Sequence, residues 1–237
     1  MQVVLLRVGV DIGSGGIHGP LFSDGRFEFI PIPDGFQIDA RRYGNTVGRH
    51  GRRFVDYFPV SRHGEVARWS MHVDPEFETF TYGDPTPPKR GLRRLQPGDL
   101  LVFYAGLAGW EFQSGPALYI VGFFQIERAG LASDFSPREL ERLFATNFHV
   151  RHPDVFARQR DRLVLVKGTS GSRLLDKAVL ISETALDKKG RPLKVILRSM
   201  REIFGNFGGK VSIQRSPPRW VAAEYVGAAE RFIHSLV

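Results

Sequence analysis

The chain is 237 residues long and carries 33 Lys and Arg against 25 Asp and Glu, a formal net charge of +8, with no cysteine. The missing cysteine excludes disulfides and thiolate metal sites. No apolar run approaches the roughly 18 residues that span a bilayer, and the opening residues lack the pattern of a cleaved leader. The expectation is a cytoplasmic protein without membrane contact, long enough to bury a sizeable core.

The charge is unevenly spread. Residues 188–219 hold nine Lys and Arg against one acid, Glu202, and residues 41–68 hold seven arginines against Asp56 and Glu65. Clustered cations attract phosphate backbones, although a solvated basic face is the plainer reading of any single run. Because two separate segments show the bias, DNA or RNA is the expected partner. Oligomeric state is left open.

In chain order, residues 2–10 read as a strand that ends at Asp11, followed by the glycine loop Asp11-Ile12-Gly13-Ser14-Gly15-Gly16-Ile17-His18-Gly19-Pro20. Next, Leu21-Phe22, Ser23-Asp24-Gly25 and Phe27–Ile32 read as a hairpin, since Asp-Gly between apolar runs favours a tight turn. The loop is not a dinucleotide fingerprint, which must open a helix, and it lacks the Gly-Lys-Ser/Thr of a P-loop. It is similar to the first phosphate loop of actin-like kinases and ATPases, but Ile17 and His18 stand where those have Ser or Thr, and no second such loop follows. Ser14 and the amides of Gly15 and Gly16 are candidate phosphate contacts. If the protein is an enzyme, Asp11, His18 and Asp74, with His72 beside it, are the candidate catalytic groups.

Residues 35–70 are polar and rich in Arg and Gly, and read as a long surface loop with a short strand over Phe54–Val60. Residues 83–94, with three prolines followed by Lys89, Arg90, Arg93 and Arg94, read as a stiff basic connector. Then come two buried strands, Leu100–Ala105 and Ala117–Ile126, entered through the turn Gln96-Pro97-Gly98-Asp99 and joined by a loop holding Trp110 and Phe112. This stretch resembles the heart of a PUA-like or EVE-like small β-barrel, whose groove takes a nucleobase. That resemblance implies a pocket in which Phe103, Tyr104 and Trp110 stack on a base while Asp11, Asp34 or Asp99 accepts hydrogen bonds from its exocyclic amines.

Ser136-Pro137-Arg138-Glu139 has the form of a capping box with Pro in the first turn, and predicts a helix with Leu140, Leu143 and Phe144 facing inward. Leu163–Lys167 reads as a strand. The loop Gly168–Arg173 before the strand Ala178–Ser182 is either a hairpin connection or a phosphate loop with Arg173 supplying charge. Pro192–Phe204 predicts a helix, with Leu193, Ile196, Leu197, Met200, Ile203 and Phe204 on one face. Lys194, Arg198 and Arg201 then line another face as phosphate contacts. A strand over Val211–Arg215 and a helix over Pro217–Leu236, burying Ala222, Val226, Ala229, Ile233 and Leu236, complete the chain. His18, His72, His149 and His152 lack the i, i+4 spacing of a helical metal pair, so no metal and no cofactor is expected.

Several motifs together resemble the third nucleotide-modification-associated domain family. They are Arg7-x-Gly9-x-Asp11-x-x-Ser14-Gly15-Gly16-x-x-x-Pro20, Asp24-Gly25, Pro31-Ile32-Pro33-Asp34, His72-Val73-Asp74-Pro75, Tyr82-Gly83-Asp84, Gly98-Asp99-Leu100, Gly122-Phe123-Phe124-Gln125 and His152-Pro153. Val8 stands where that family usually has Lys, and Asp84 where it tends to have Gln. The resemblance, spread over residues 1–155, implies a role in DNA base modification or defence. The expectation is one compact α+β domain, with a barrel core over residues 1–130 that includes the glycine loop and a helix-and-strand extension with a basic face over 131–237. Its function is recognition of a modified or flipped base, the alternative being an enzyme acting on a nucleotide or nucleobase.

Overall fold

A computed structural model describes residues 1–214 and 217–237. The chain opens with β1 (Val3–Arg7), β2 (Gly19–Leu21) and β3 (Ile32–Pro33). The short α1 (His63–Val66), then β4 (Met71–His72) and β5 (Thr81–Asp84), lead to the two long central strands β6 (Leu100–Gly109) and β7 (Ala117–Leu131). Three helices follow, α2 (Pro137–Phe144), α3 (Phe148–Arg151) and α4 (Pro153–Gln159). The remainder is β8 (Val164–Gly168), β9 (Arg173–Leu180), β10 (Ser182–Leu186), β11 (Pro192–Ile196), α5 (Arg198–Phe204), β12 (Arg219–Trp220) and α6 (Ala223–His234).

The result is a mixed α+β fold around one large sheet in the order β12-β1-β6-β7-β8-β5. Among the described residues no pairing joins its two ends into a closed barrel. The β6–β7 ribbon expected at the centre is there, antiparallel from Leu100↔Gln125 to Leu107↔Ala117, with a bulge between Phe103 and Tyr104. Its β-branched and aromatic runs are buried on both faces, as such runs require. Strands from beyond residue 131 join the same sheet, so the extension is woven into the core.

Two edges of the ribbon are each shared by two strands, and this places the loops. Along β6, β1 pairs in parallel with Leu100–Tyr104 and β2 pairs in parallel with Leu107–Gly109. The glycine loop is the excursion between them, held over that edge. A Cβ on Gly106 would lie 3.0 Å from His18 Nδ1 and 3.5 Å from Arg7, so only glycine at this point of β6 lets both side chains approach. Along β7, β9 pairs with Tyr119–Phe123 and β8 with Ile126–Leu131.

Residues 35–70 are corrected from a surface loop to a packed lobe. Tyr43, Phe54, Val55, Tyr57, Phe58, Val66 and Met71 form a second core with Val10 and Ile30. The buried Tyr43 hydroxyl donates to the Pro31 carbonyl at 2.6 Å. The strand expected over Phe54–Val60 is instead a pair of 3₁₀ turns, Phe54–Tyr57 and Val60–Arg62, leading into α1. Phe54, Val55, Tyr57 and Phe58 are all buried, which an alternating strand cannot achieve.

The helix expected over Pro192–Phe204 is also corrected. Residues 192–196 are β11, paired in register with β10 from Ser182↔Ile196 to Leu186↔Pro192, and Leu197 is extended at the start of α5. The hairpin satisfies backbone groups that helical spacing alone assigned to a helix. The helix expected from Pro217 begins only at Ala223, because Arg219 and Trp220 pair with Leu5 and Val4 of β1. Ala229 and Ile233 are buried, with Val226 and Leu236 packed at the margin, whereas Ala222 is exposed. The strand expected over Val211–Arg215 is reduced to a bridge between Ser212 and Val195, and Arg215 lies outside the described residues. The capping box at Ser136 forms as expected, with Ser136 Oγ accepting from the Glu139 amide at 3.3 Å.

The lobe is tied to the helices by Asp39. Its fully buried carboxylate meets Arg41 at 3.1 Å and Arg151 at 3.3 Å. Burial alone would raise its pKa, but the bonds from Arg41 and the charge of Arg151 outweigh that and hold it below the usual value. Its stabilisation is therefore complete above about pH 4 and is lost as pH falls through the lowered folded-state pKa. Asp39→Asn should cost about 2 kcal/mol in urea unfolding at neutral pH. The gap to the wild type should narrow in acid, and a gap that persists unchanged at about pH 2 would refute this assignment.

Candidate functional site

Three side chains from distant parts of the sequence converge at the end of β5. His72 ends β4, Asp74 follows it, and His149 stands on the single turn of α3. His72 Nε2 and His149 Nε2 are 3.2 Å apart, and Asp74 Oδ2 lies 3.4 Å from the His149 nitrogen and 3.9 Å from that of His72. The Gly83 amide on β5 donates to both Asp74 oxygens, at 3.0 and 2.8 Å. His149 Nδ1 lies 2.6 Å from Gln159 Oε1 at the end of α4, so the imidazole proton on that side is directed to Gln159. His72 packs on the Phe148 ring at 4.1 Å between centroids. The Asn147 side chain caps α3 by accepting from the His149 amide.

Burial governs the charges here. It pushes His72 down to about 3, helped by His149. It lifts Asp74 to about 6, against the bonds from His149 and Gly83. Burial also opposes a charge on His149, but the Asp74 carboxylate and Gln159 outweigh it and raise that pKa. The cluster thus concentrates three shifted groups whose lone pairs face one another, a common mark of a functional site.

The cluster opens into a cavity of about 220 Å³ whose other walls include Arg7, Asp11, Ser14, Asp84 and Lys89. Arg7 meets Asp11 at 3.1 Å and Lys89 meets Asp84 at 3.6 Å. On the far side of the Arg7–Asp11 pair lies a second cavity of about 360 Å³, lined among others by His18, Leu118, Lys194 and Gln214. Asp11 and Asp74 therefore share one cavity, as the enzyme reading expects, while His18 lines the neighbouring one. Burial and the nearby Arg7 keep the His18 pKa low, and its Nδ1 is buried without a partner. A further cavity, about 530 Å³, lies elsewhere, between Phe29, Phe77, Phe80 and the arginines 41, 49 and 173. It brings together no comparable set of shifted groups.

The remaining sequence candidates are spoken for by the fold. Phe103 and Tyr104 are enclosed in the core and show no ring face to solvent, and the Tyr104 hydroxyl donates to the Ile213 carbonyl. Trp110 packs edge-on against Tyr57 in the lobe. Asp34 is buried and accepts from the amides of Phe36 and Ile38, and Asp99 is buried and accepts from those of Gln2 and Gln96. A base stacked on Phe103 or Tyr104, or bonded to these two carboxylates, would have to break the core. The amides of Ser14, Gly15 and Gly16 all point at the Asp11 carbonyl, so the phosphate nest expected there is filled from within.

The basic stripe also dissolves. Lys194 sits on β11 bonded to Thr184, Arg201 meets Glu183, and Arg198 is exposed at the start of α5. Arg173 lines the cavity beside Phe29, Phe77 and Phe80. In the lobe, Arg41, Arg49, Arg52, Arg53 and Arg62 each meet a carboxylate. Among the described residues, no helix is long and apolar enough to cross a membrane.

The histidine spacing rule missed the cluster because its members lie on a strand, a loop and a separate helix. The His-x-Asp-Pro and Tyr-Gly-Asp elements held three of its parts, His72, Asp74 and Gly83, but nothing local paired them with His149 or Gln159.

The fold and cleft define a mixed α+β protein with a polar cavity ending in a His–Asp–His cluster. Over residues 2–233 the chain matches the model of the family Nucleotide modification associated domain 3, and it belongs to that family. The match runs well past the residues that carried the resemblance. Comparison with curated proteins and with solved structures yields no match.

Gly83 is the point at which strand and cluster touch. A Cβ there would lie 2.8 Å from His149 Cδ2 and 3.0 Å from Asn147 Oδ1, on a strand with little room to move. Gly83→Ala should therefore destabilise the protein by about 2 kcal/mol and shift the imidazole proton resonances of His149. A variant with unchanged stability and an unshifted His149 would contradict this placement.

Proposed function

We propose that the protein acts on a nucleotide or nucleobase in a DNA-modification setting, with the cavity at His72, Asp74 and His149 as the reacting centre. The observation that carries this reading is the convergence of the three groups, two of them on the wall of a cavity also lined by Arg7, Asp11 and Lys89, in a chain whose family is associated with nucleotide modification. At about 220 Å³ the cavity suits a single base or sugar-phosphate rather than a larger ligand. The adjoining cavity, with Arg7, His18 and Lys194 on its walls, offers the cations a nucleotide's phosphates need. The β6–β7 ribbon, with its enclosed aromatic core, serves here as the scaffold that carries the cleft along one edge, in the manner of PUA- and EVE-like domains.

Nucleotides titrated into isotope-labelled protein should shift the amide resonances of Gly83 and of Gly13–Ser14 together. Lys89→Ala should weaken that binding about tenfold, since a charge-assisted contact is worth about 1.5 kcal/mol. Nucleosides and nucleotides that leave both sets of amides unmoved would end the proposal.

Recognition of a nucleic acid strand is a second reading, favoured by one feature of the cleft rim. The 3₁₀ segment Pro87–Arg94 turns Lys89 inward to the cavity while Arg90, Arg93 and Arg94 are exposed beside it. Such a ridge can track the backbone of a strand whose base enters the cavity. Binding to single-stranded DNA should then fall with salt, and replacing the three arginines by Ala should reduce the salt slope by about 2. A slope left unchanged by the triple substitution would exclude this ridge as the contact.

A further inference from the structure

We infer that His72, Asp74 and His149 form a binding site for one divalent transition-metal ion, and that zinc fits it best. The inference deepens the proposed function, since the ion would occupy the same reacting centre. The three candidate ligand atoms form a triangle with sides of 3.2, 3.4 and 3.9 Å. Near its centre is a point about 2.1 Å from all three, the length of a zinc–nitrogen or zinc–oxygen bond. Tetrahedral ligands at that length stand about 3.4 Å apart and octahedral neighbours about 3.0 Å, so the triangle matches the tetrahedral case.

The surroundings supply what such a ligand set needs. A metal-bound imidazole offers one nitrogen to the ion and donates from the other, and His149 Nδ1 faces the Gln159 amide oxygen while Nε2 faces the cluster. Asp74 is oriented by the Gly83 amide, which leaves lone pairs on Oδ2 for a cation. Without a cation or shared proton, Asp74 Oδ2 and the His149 Nε2 lone pair confront each other at 3.4 Å, two acceptors with no donor between them. The donor set of two imidazoles and one carboxylate is that of many catalytic zinc sites, whose fourth position is left to water or substrate. Here that position faces the cavity shared with Asp11 and Ser14. An ion held there would polarise a substrate oxygen or acidify a bound water.

The test uses the full chain, stripped with a chelator, and zinc chloride alone as the probe in calorimetry. One equivalent should bind, and cobalt in its place should give the strong visible absorption of a four-coordinate ion. His149 and Asp74 are both buried and the loss of either could unfold the chain, so the deciding variant is His72→Gln, at the cavity wall. It should weaken zinc at least 100-fold with an unchanged circular dichroism spectrum. Gln159→Leu should weaken it 10- to 100-fold through the outer bond to His149. Wild-type protein that binds zinc no more tightly than His72→Gln would overturn the inference, as would a stoichiometry near zero. Because no nucleotide is present, these outcomes are independent of the nucleotide titration. Nucleotide binding without zinc would remove the ion and keep the proposed function, and zinc binding without nucleotide would do the reverse.

Discussion

A carboxylate sealed away from water must be answered by donors or by a cation, and the arrangement around Asp74 follows from that requirement. Gly83 answers from β5 with its backbone, and His149 answers from α3. For the amide of Gly83 to reach Asp74, β5 must be held at the sheet edge by β8, in register from Thr81↔Lys167 to Asp84↔Val164. For His149 to reach it, α3 must be capped by Asn147 and backed by Gln159 of α4. One buried charge thus draws together a strand, a loop and two helices.

The cleft exists because the sheet does not spend its edges uniformly. β1 and β2 divide one edge of β6, and the chain between them must leave the sheet and return within about four residues of the same strand, which lifts the glycine loop over the gap. Asp11 then closes the loop on itself, taking its amides as acceptor while its carboxylate holds Arg7. The loop that resembles a phosphate cradle is in this way a wall between two cavities. Its glycines serve compactness, and charged groups flank it on both sides.

The electrostatics follow the same logic of local pairing. A net charge of +8 suggests a broad basic face, yet five arginines of the lobe meet an acid, two of these acids from distant segments, Asp176 for Arg49 and Glu111 for Arg52. Cations counted along a sequence cannot reveal partners that lie a hundred residues away. Among the described residues Arg90, Arg93 and Arg94 meet no acid, and they lie exposed on the Pro87–Arg94 segment beside the cleft.

By itself the sequence determined the features whose physics is local. The apolar runs Leu100–Ala105 and Ala117–Ile126 read as core strands, Ser136 to Glu139 as the opening of a helix, and Asp24-Gly25 as a turn. The glycine-loop, Asp-Gly, His-x-Asp-Pro and Gly-Asp-Leu elements were enough to place the family. The tertiary structure alone decided what depended on distant partners. Residues 192–196 became a strand because β10 was there to pair with them. Phe103 and Tyr104 were lost to the interior because Phe77 and Tyr82 pack on the one and the Ile213 carbonyl takes the hydroxyl of the other. His149 met His72 and Asp74 because α3 docks on β5, a contact between segments some 75 residues apart. Hydrophobic period and turn chemistry act over a few residues and are legible in a string of letters. The meeting of three side chains is set by packing, which the string does not display.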